Sequence, residues 1–179
     1  MTVFELETCI EEYGTEVYSF CLHLTGVREW ADELYQDTFL TATERVGQLH
    51  NDEGANLKSY FLSVAIRLWK NKRRKAAWRK RIAPEQSMDV PDHAVLAQEA
   101  EMTDSVETEL LRVEERRYVQ RAVDDLPEKY RVAVLLYYME ELPVTQIADL
   151  LHIPSGTVKS RLFQARKLLR KQLEVLLDE

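Results

Sequence analysis

The residues best suited to chemistry lie in "LLHIPSGTVKSRLFQARKLLRK", positions 150–171, which hold six Lys or Arg and no acid. The chemistry open to them is recognition of a polyanion. Guanidinium and ammonium groups donate to phosphate oxygens, while Arg, Gln, Ser and Thr side chains match the donors and acceptors on base edges. Apolar residues recur at helical spacing (Val158, Leu162, Ala165, Leu169), which leaves Lys159, Ser160, Arg161, Gln164 and Lys167 outward or on the flanks. Ahead of them Pro154 disfavours helix at Ile153, and Ser155 is a suitable N-cap. Before that corner, "TQIADLL" turns Ile147, Leu150 and Leu151 inward and offers the small Ala148 to a neighbouring helix. A short helix, a tight corner and a basic second helix make the spacing of a helix-turn-helix.

A second candidate surface is "SYFLSVAIRLWKNKRRKAAWRKR", positions 59–81, where Tyr60, Phe61, Trp69 and Trp78 interleave with cations. Aromatic rings stack on unpaired bases while cations hold the backbone, the general scheme for single-stranded nucleic acid. Tyr60, Phe61, Val64 and Leu68 also fit a buried stripe, so part of this aromatic set belongs to a core.

Catalytic chemistry finds no comparable support. There is no HExxH, GxSxG, P-loop or GxGxxG pattern, and His23, His50, His93 and His152 show no ligand spacing. Cys9 and Cys21 fall on an apolar helical stripe, where a thiol acts as a small hydrophobe rather than a zinc ligand. No catalytic residue, metal or cofactor is therefore expected. A metal-dependent nuclease would need paired acids, and Asp32, Glu33 and Asp37 read instead as an exposed docking face.

The elements that must position these surfaces are all helical. The 179 residues are 45% hydrophobic and 31% charged, with only five Gly and five Pro, too few for the frequent turns of a β-sandwich. Helices are expected near 3–24, 28–47, 56–81, 118–126, 127–141, 143–153 and 156–177. Charge divides the chain further. Residues 58–82 contain ten Lys or Arg and no acid, whereas Glu85 to Glu115 hold ten acids against Arg112 alone. The reading is all-α: two small helical domains, 1–83 and 116–179, joined by an acidic linker over 84–115, helical towards Arg112. No secretory signal or run long enough to span a membrane is visible, so a cytoplasmic location without membrane insertion is expected.

With these motifs in place, the sequence resembles bacterial RNA polymerase sigma factors of the small, two-domain extracytoplasmic-function type. "ADELYQDTFLTA" is similar to the family's core-binding helix in sigma region 2. "LPEKYRVAVLLYYMEELPVTQIADLLHIPSGTVKSRLFQARKLLRKQL" resembles sigma region 4 nearly position for position. The resemblance implies an alternative sigma factor, not an enzyme, that binds core polymerase and directs promoter recognition, melting and transcription initiation. By that likeness Asp32, Glu33, Leu34, Gln36, Asp37 and Phe39 would face the polymerase clamp, and the apolar surface of 126–138, with the end of the last helix, would hold the flap. Loop 51–56 and the next helix would hold the opened minus-ten strand through Asn51, Asn56, Lys58, Tyr60, Arg67, Lys70, Asn71, Arg73 and Arg74. Ser155, Gly156, Thr157, Lys159, Ser160, Arg161, Gln164 and Lys167 would read the minus-thirty-five duplex. An anti-sigma factor is the expected regulator. Tyr60-Phe61 stands where the family usually has Trp-Leu, Asn71 where Asp is frequent, and Gln164 where Arg is common.

A stand-alone helix-turn-helix regulator would explain 144–171 but leave the aromatic-basic helix and "ADELYQDTF" without a task. A protein-binding adaptor would use the amphipathic faces and show no footprint. The net charge of −7 should repel DNA at long range. The free chain is therefore expected to bind promoters poorly and to act within a larger assembly.

Overall fold

In a computed structural model of the chain, residues 3–46, 57–82 and 106–177 are described. Loop 51–56, with Asn51 and Asn56, and most of the expected linker lie outside the described residues. The chain divides into two units, Met1–Asp92 and His93–Glu179.

The first unit packs three helices: α1 (Val3–Thr25), α2 (Arg28–Val46) and α3 (Leu57–Ile82). These bounds fall within a residue of the sequence expectation, because periodic apolar residues fix where each helix can bury a face. Gly26 takes a left-handed φ of 71° and its N–H donates to the Leu22 carbonyl at 2.8 Å, which ends α1. Beside it the buried Thr25 hydroxyl donates to the carbonyls of Cys21 (2.9 Å) and Val27 (3.0 Å), fixing the corner into α2. Val17, Phe20, Cys21 and Leu24 from α1 meet Ala31, Leu34, Phe39 and Ala42 from α2 and Phe61, Leu62, Ala65 and Trp69 from α3 in the core. Aromatic rings run through all three helices: Tyr18–Tyr35 at 5.5 Å, Tyr35–Phe39 at 5.0 Å and Phe39–Phe61 at 4.7 Å between centroids.

The second unit holds α4 (Val106–Asp124), α5 (Glu128–Val134), α6 (Val144–Leu151) and α7 (Ser155–Leu177). Helix α4 begins at Val106, so residues 106–115, expected at the helical end of the linker, form its first half. Pro127 caps α5, its carbonyl accepting from Tyr130 N–H at 2.8 Å and Arg131 N–H at 3.1 Å. The single helix expected over 127–141 departs from α geometry after Val134. Leu135–Met139 form a π-helical turn, Glu140 N–H donates back to the Leu135 carbonyl at 3.1 Å, and Glu141 turns to φ 52°. Tyr137 and Tyr138 on this turn are exposed, and their rings meet edge to face at 4.9 Å.

The corner between α6 and α7 is a Schellman closure. Ile153 N–H donates to the Ala148 carbonyl at 3.0 Å and His152 N–H to the Asp149 carbonyl at 3.2 Å. His152 occupies the left-handed position, φ 53° and ψ 48°, where glycine is usual. Helix α7 then starts one residue earlier than expected. Ser155 is its first residue, and the Pro154 carbonyl accepts from Thr157 N–H (2.9 Å) and Val158 N–H (3.2 Å). Ile147, Val158, Leu162 and Ala165 are buried as their spacing requires, while Leu150, Leu151 and Leu169 are half-buried.

Candidate nucleic-acid interface

Burying Val158, Leu162 and Ala165 sets the rotation of α7, and the other side chains follow from it. Ser155, Gly156, Lys159, Ser160, Gln164 and Lys167 are exposed; Thr157 and Arg161 are half-buried at the flank of the packed stripe. A Cβ added to Gly156 would meet nothing within 4 Å, so the start of α7 is open to a close approach. Phe163 lies among these groups and is 61% exposed. Its place outside the 158/162/165 stripe is readable from the sequence, although the motif readings above leave Phe163 out.

On α3, Lys58 and Tyr60 are half-buried, Arg67 is exposed, Lys70 is half-buried, and Asn71, Arg73 and Arg74 are exposed. Several of these groups already hold partners. Lys58 pairs with Glu16 of α1 at 2.6 Å, Arg73 stacks over Trp69 at 5.0 Å, and Arg74 donates to Asn71 Oδ1 at 3.4 Å. The four aromatics part ways. Phe61 and Trp69 are core, Tyr60 is half-buried beside Phe61, and Trp78 stands in solvent.

The docking face expected on α2 is split by its own periodicity. Asp32, Glu33, Gln36 and Asp37 are exposed. Leu34 and Phe39 are 4% and 5% exposed and pack in the three-helix core, which corrects their nomination as surface contacts. The physical reason is register: Leu34 falls with Thr38 and Ala42 on the face turned to α1 and α3. Leu40, 62% exposed, is the apolar residue α2 does present on its open side. The Tyr18 hydroxyl donates to Asp32 Oδ1 at 2.7 Å, an interaction that raises the Tyr18 pKa and orients the carboxylate. Glu33 forms an ion pair with Lys72, so the acidic side of α2 and the basic helix α3 meet there. Among the described residues no group of three or more His, Cys, Asp or Glu could hold a metal ion, and no helix is long and apolar enough to cross a membrane.

A helical bundle with a cationic third helix, and a second unit built on a helix-turn-helix with an open, basic second helix, define a class: DNA-binding transcription proteins. Residues 9–79 match the family "Sigma-70 region 2" and residues 116–169 match "Sigma-70, region 4". The chain is 30% identical over 170 residues to the RNA polymerase sigma-H factor of Pseudomonas aeruginosa, covering 94% of this chain and 86% of that protein. It is 27% identical over 184 residues to the ECF RNA polymerase sigma factor SigW of Bacillus subtilis, covering 93% and 88%. The fold is shared with the sigma factor RpoE of Bartonella quintana at a TM-score of 0.74, with 20% identity, 97% of this chain and 99% of that chain covered. The chain belongs to the RNA polymerase sigma factor family, in its extracytoplasmic-function branch.

Proposed function

We propose that this chain joins core RNA polymerase and brings it to a promoter by gripping DNA with two different surfaces. The observation that carries the reading is the α6–α7 corner, whose Schellman closure leaves Gly156, Lys159, Ser160 and Gln164 on one accessible helix face. In this reading Arg161 and Gln164 contact base edges of the minus-thirty-five duplex, and exposed Phe163 can meet a thymine methyl. Lys159 and Lys167 hold phosphates, with Ser155, Thr157 and Ser160 as shorter-range donors. On α3, Arg67, Lys70, Asn71, Arg73 and Arg74 line the opened minus-ten strand, joined by Asn51, Asn56, Lys58 and Tyr60.

Asp32, Glu33, Gln36 and Asp37 form the polar part of the face offered to the polymerase clamp; within 126–138 the aliphatic side chains are buried in the core, so the exposed rings of Tyr137 and Tyr138 are the apolar groups offered to the flap. Leu40 supplies the apolar contact first assigned to Leu34 and Phe39. We place the functional domains at 1–83 and 116–179, the second limit falling midway along α4, whose first half precedes it. The chain works in the cytoplasm, is not an enzyme and needs no cofactor. RpoE of Bartonella quintana was crystallised with the anti-sigma factor NepR, and a partner of that kind covering the polymerase-binding surfaces is the regulator we assign here.

The test is initiation by core polymerase plus the purified chain on fragmented genomic DNA, with transcript starts sequenced. Starts clustered at discrete positions that share two spaced sequence elements are expected. Starts no different from those of core alone would remove the proposal.

A further inference from the structure

Of the four aromatics interleaved with cations on α3, burial removes Phe61 and Trp69 into the core and half-covers Tyr60. Trp78 remains, 63% exposed. An indole is costly to leave in water, and on a monomer's surface it marks an interaction site more often than a smaller apolar residue does. Its surroundings specify the occupant. At helical spacing Trp78 lies on one face with Arg74 (i−4), Asn71 (i−7), Arg67 (i−11) and Arg81 (i+3), all exposed. The Arg74–Asn71 hydrogen bond shows two of these side chains meeting along that face. Lys72, on another flank, is held by Glu33 of α2. Residues 57–82 contain no Asp or Glu. The stripe is thus a flat aromatic ring at one end of a row of cations and amides.

A protein surface would be expected to bury the ring among apolar neighbours, yet Arg74, Lys75 and Arg81, one turn away along α3, are exposed cations. A polyanion with exposed π-faces matches both features: phosphates for the cations and an unpaired base for the indole.

We propose that Trp78 is a base-stacking platform for single-stranded DNA, extending the strand-binding surface of α3 beyond Arg74 by about one helical turn. The proposal rests on the strand-opening role assigned to α3 above. Trp78 holds a base and the Arg67–Arg74–Arg81 row follows the backbone. Because every base has a π-face, the contact is tolerant of sequence and requires only that the base be unstacked.

The experiment titrates the full chain at low salt with oligothymidine of about 10 nucleotides, within the usual single-strand site size, while following tryptophan emission. Trp30 is half-buried and Trp69 buried, so quenching of an exposed indole reports Trp78. Quenching is expected in the wild type and not in Trp78→Phe, which should keep most of the affinity. Trp78→Ala should weaken single-strand binding by about 5- to 150-fold, the range of one lost stacking contact, with duplex of equal length affected less than about twofold.

Equal loss on duplex and single strand, wild-type affinity of the alanine variant, or absence of quenching would overturn the proposal. So would protection of the indole by core polymerase without DNA, which would make the occupant a protein. Wild-type initiation at discrete genomic positions, measured in parallel, keeps the two readings separate. If it occurs while Trp78 stays silent, only the stacking role fails; if it does not occur, the promoter-opening role itself fails.

Discussion

Arg161 sits where α7 turns from its packed stripe to its open face, half-buried beside Leu162. A planar guanidinium so placed can reach a guanine edge with two parallel hydrogen bonds. Arg161→Ala should cost about 1–3 kcal/mol of promoter binding by the holoenzyme and relax specificity at one base pair; competition between point-mutated promoters measures both. A uniform loss over all sequences would make Arg161 a phosphate contact. Cys21 tests the core in a different way. Burial pushes its thiol from the ordinary 9.0 up to about 12, so the folded state holds this proton more tightly than the unfolded chain does. The resulting stability is complete below pH 9 and is lost as pH rises towards 12. The stability difference between wild type and Cys21→Ala should therefore shrink across that window, and Cys21 should resist alkylation until the chain unfolds. The inertness of Cys21 was legible from its place on an apolar stripe. The family likeness put Leu34 and Phe39 on the docking face, whereas the helical period of α2 packs both into the three-helix core.

Helix existence and limits in the first unit were readable because apolar residues repeat with the helical period and Gly26 marks the end of α1. The π-helical turn at Leu135–Met139 was not, because one extra residue per turn leaves no mark in a run as apolar as "VAVLLYYM". The Schellman closure was hidden for a related reason, since its left-handed position carries His152 and not the glycine that would signal it. Holding a β-carbon at φ 53° costs energy, so His152→Gly should stabilise the chain by about 1 kcal/mol in chemical denaturation. Destabilisation would show that the imidazole contributes more than the backbone loses. Helix α2 offers a cleaner separation of roles. Leu34→Ala should lower stability by about 2–5 kcal/mol by opening a cavity. Asp37→Arg, at an exposed site, should leave stability unchanged and weaken core polymerase binding by about tenfold or more, on the order of 1.4 kcal/mol. Equal core affinity of the Asp37 variant, measured beside its melting curve, would take Asp37 out of the docking face.

At the scale of the whole chain, charge is the organising quantity. A net −7 coexists with 26 residues of α3 that lack any acid and an α7 that is basic from Lys159 to Lys171. Long-range repulsion from the acidic remainder opposes DNA encounter, while local cations favour phosphate once the surfaces are brought close. In the function proposed above, core polymerase is the agent that brings them close. The sequence made this division visible because charge blocks are compositional. The most direct test is a footprint on one promoter at about 0.15 M salt, comparing the free chain, core alone and both together. Only the mixture should protect an upstream duplex patch while making thymines at a separate downstream patch reactive to permanganate. Protection with opening by the free chain alone, or a mixture that opens no strand at any position, would contradict the account.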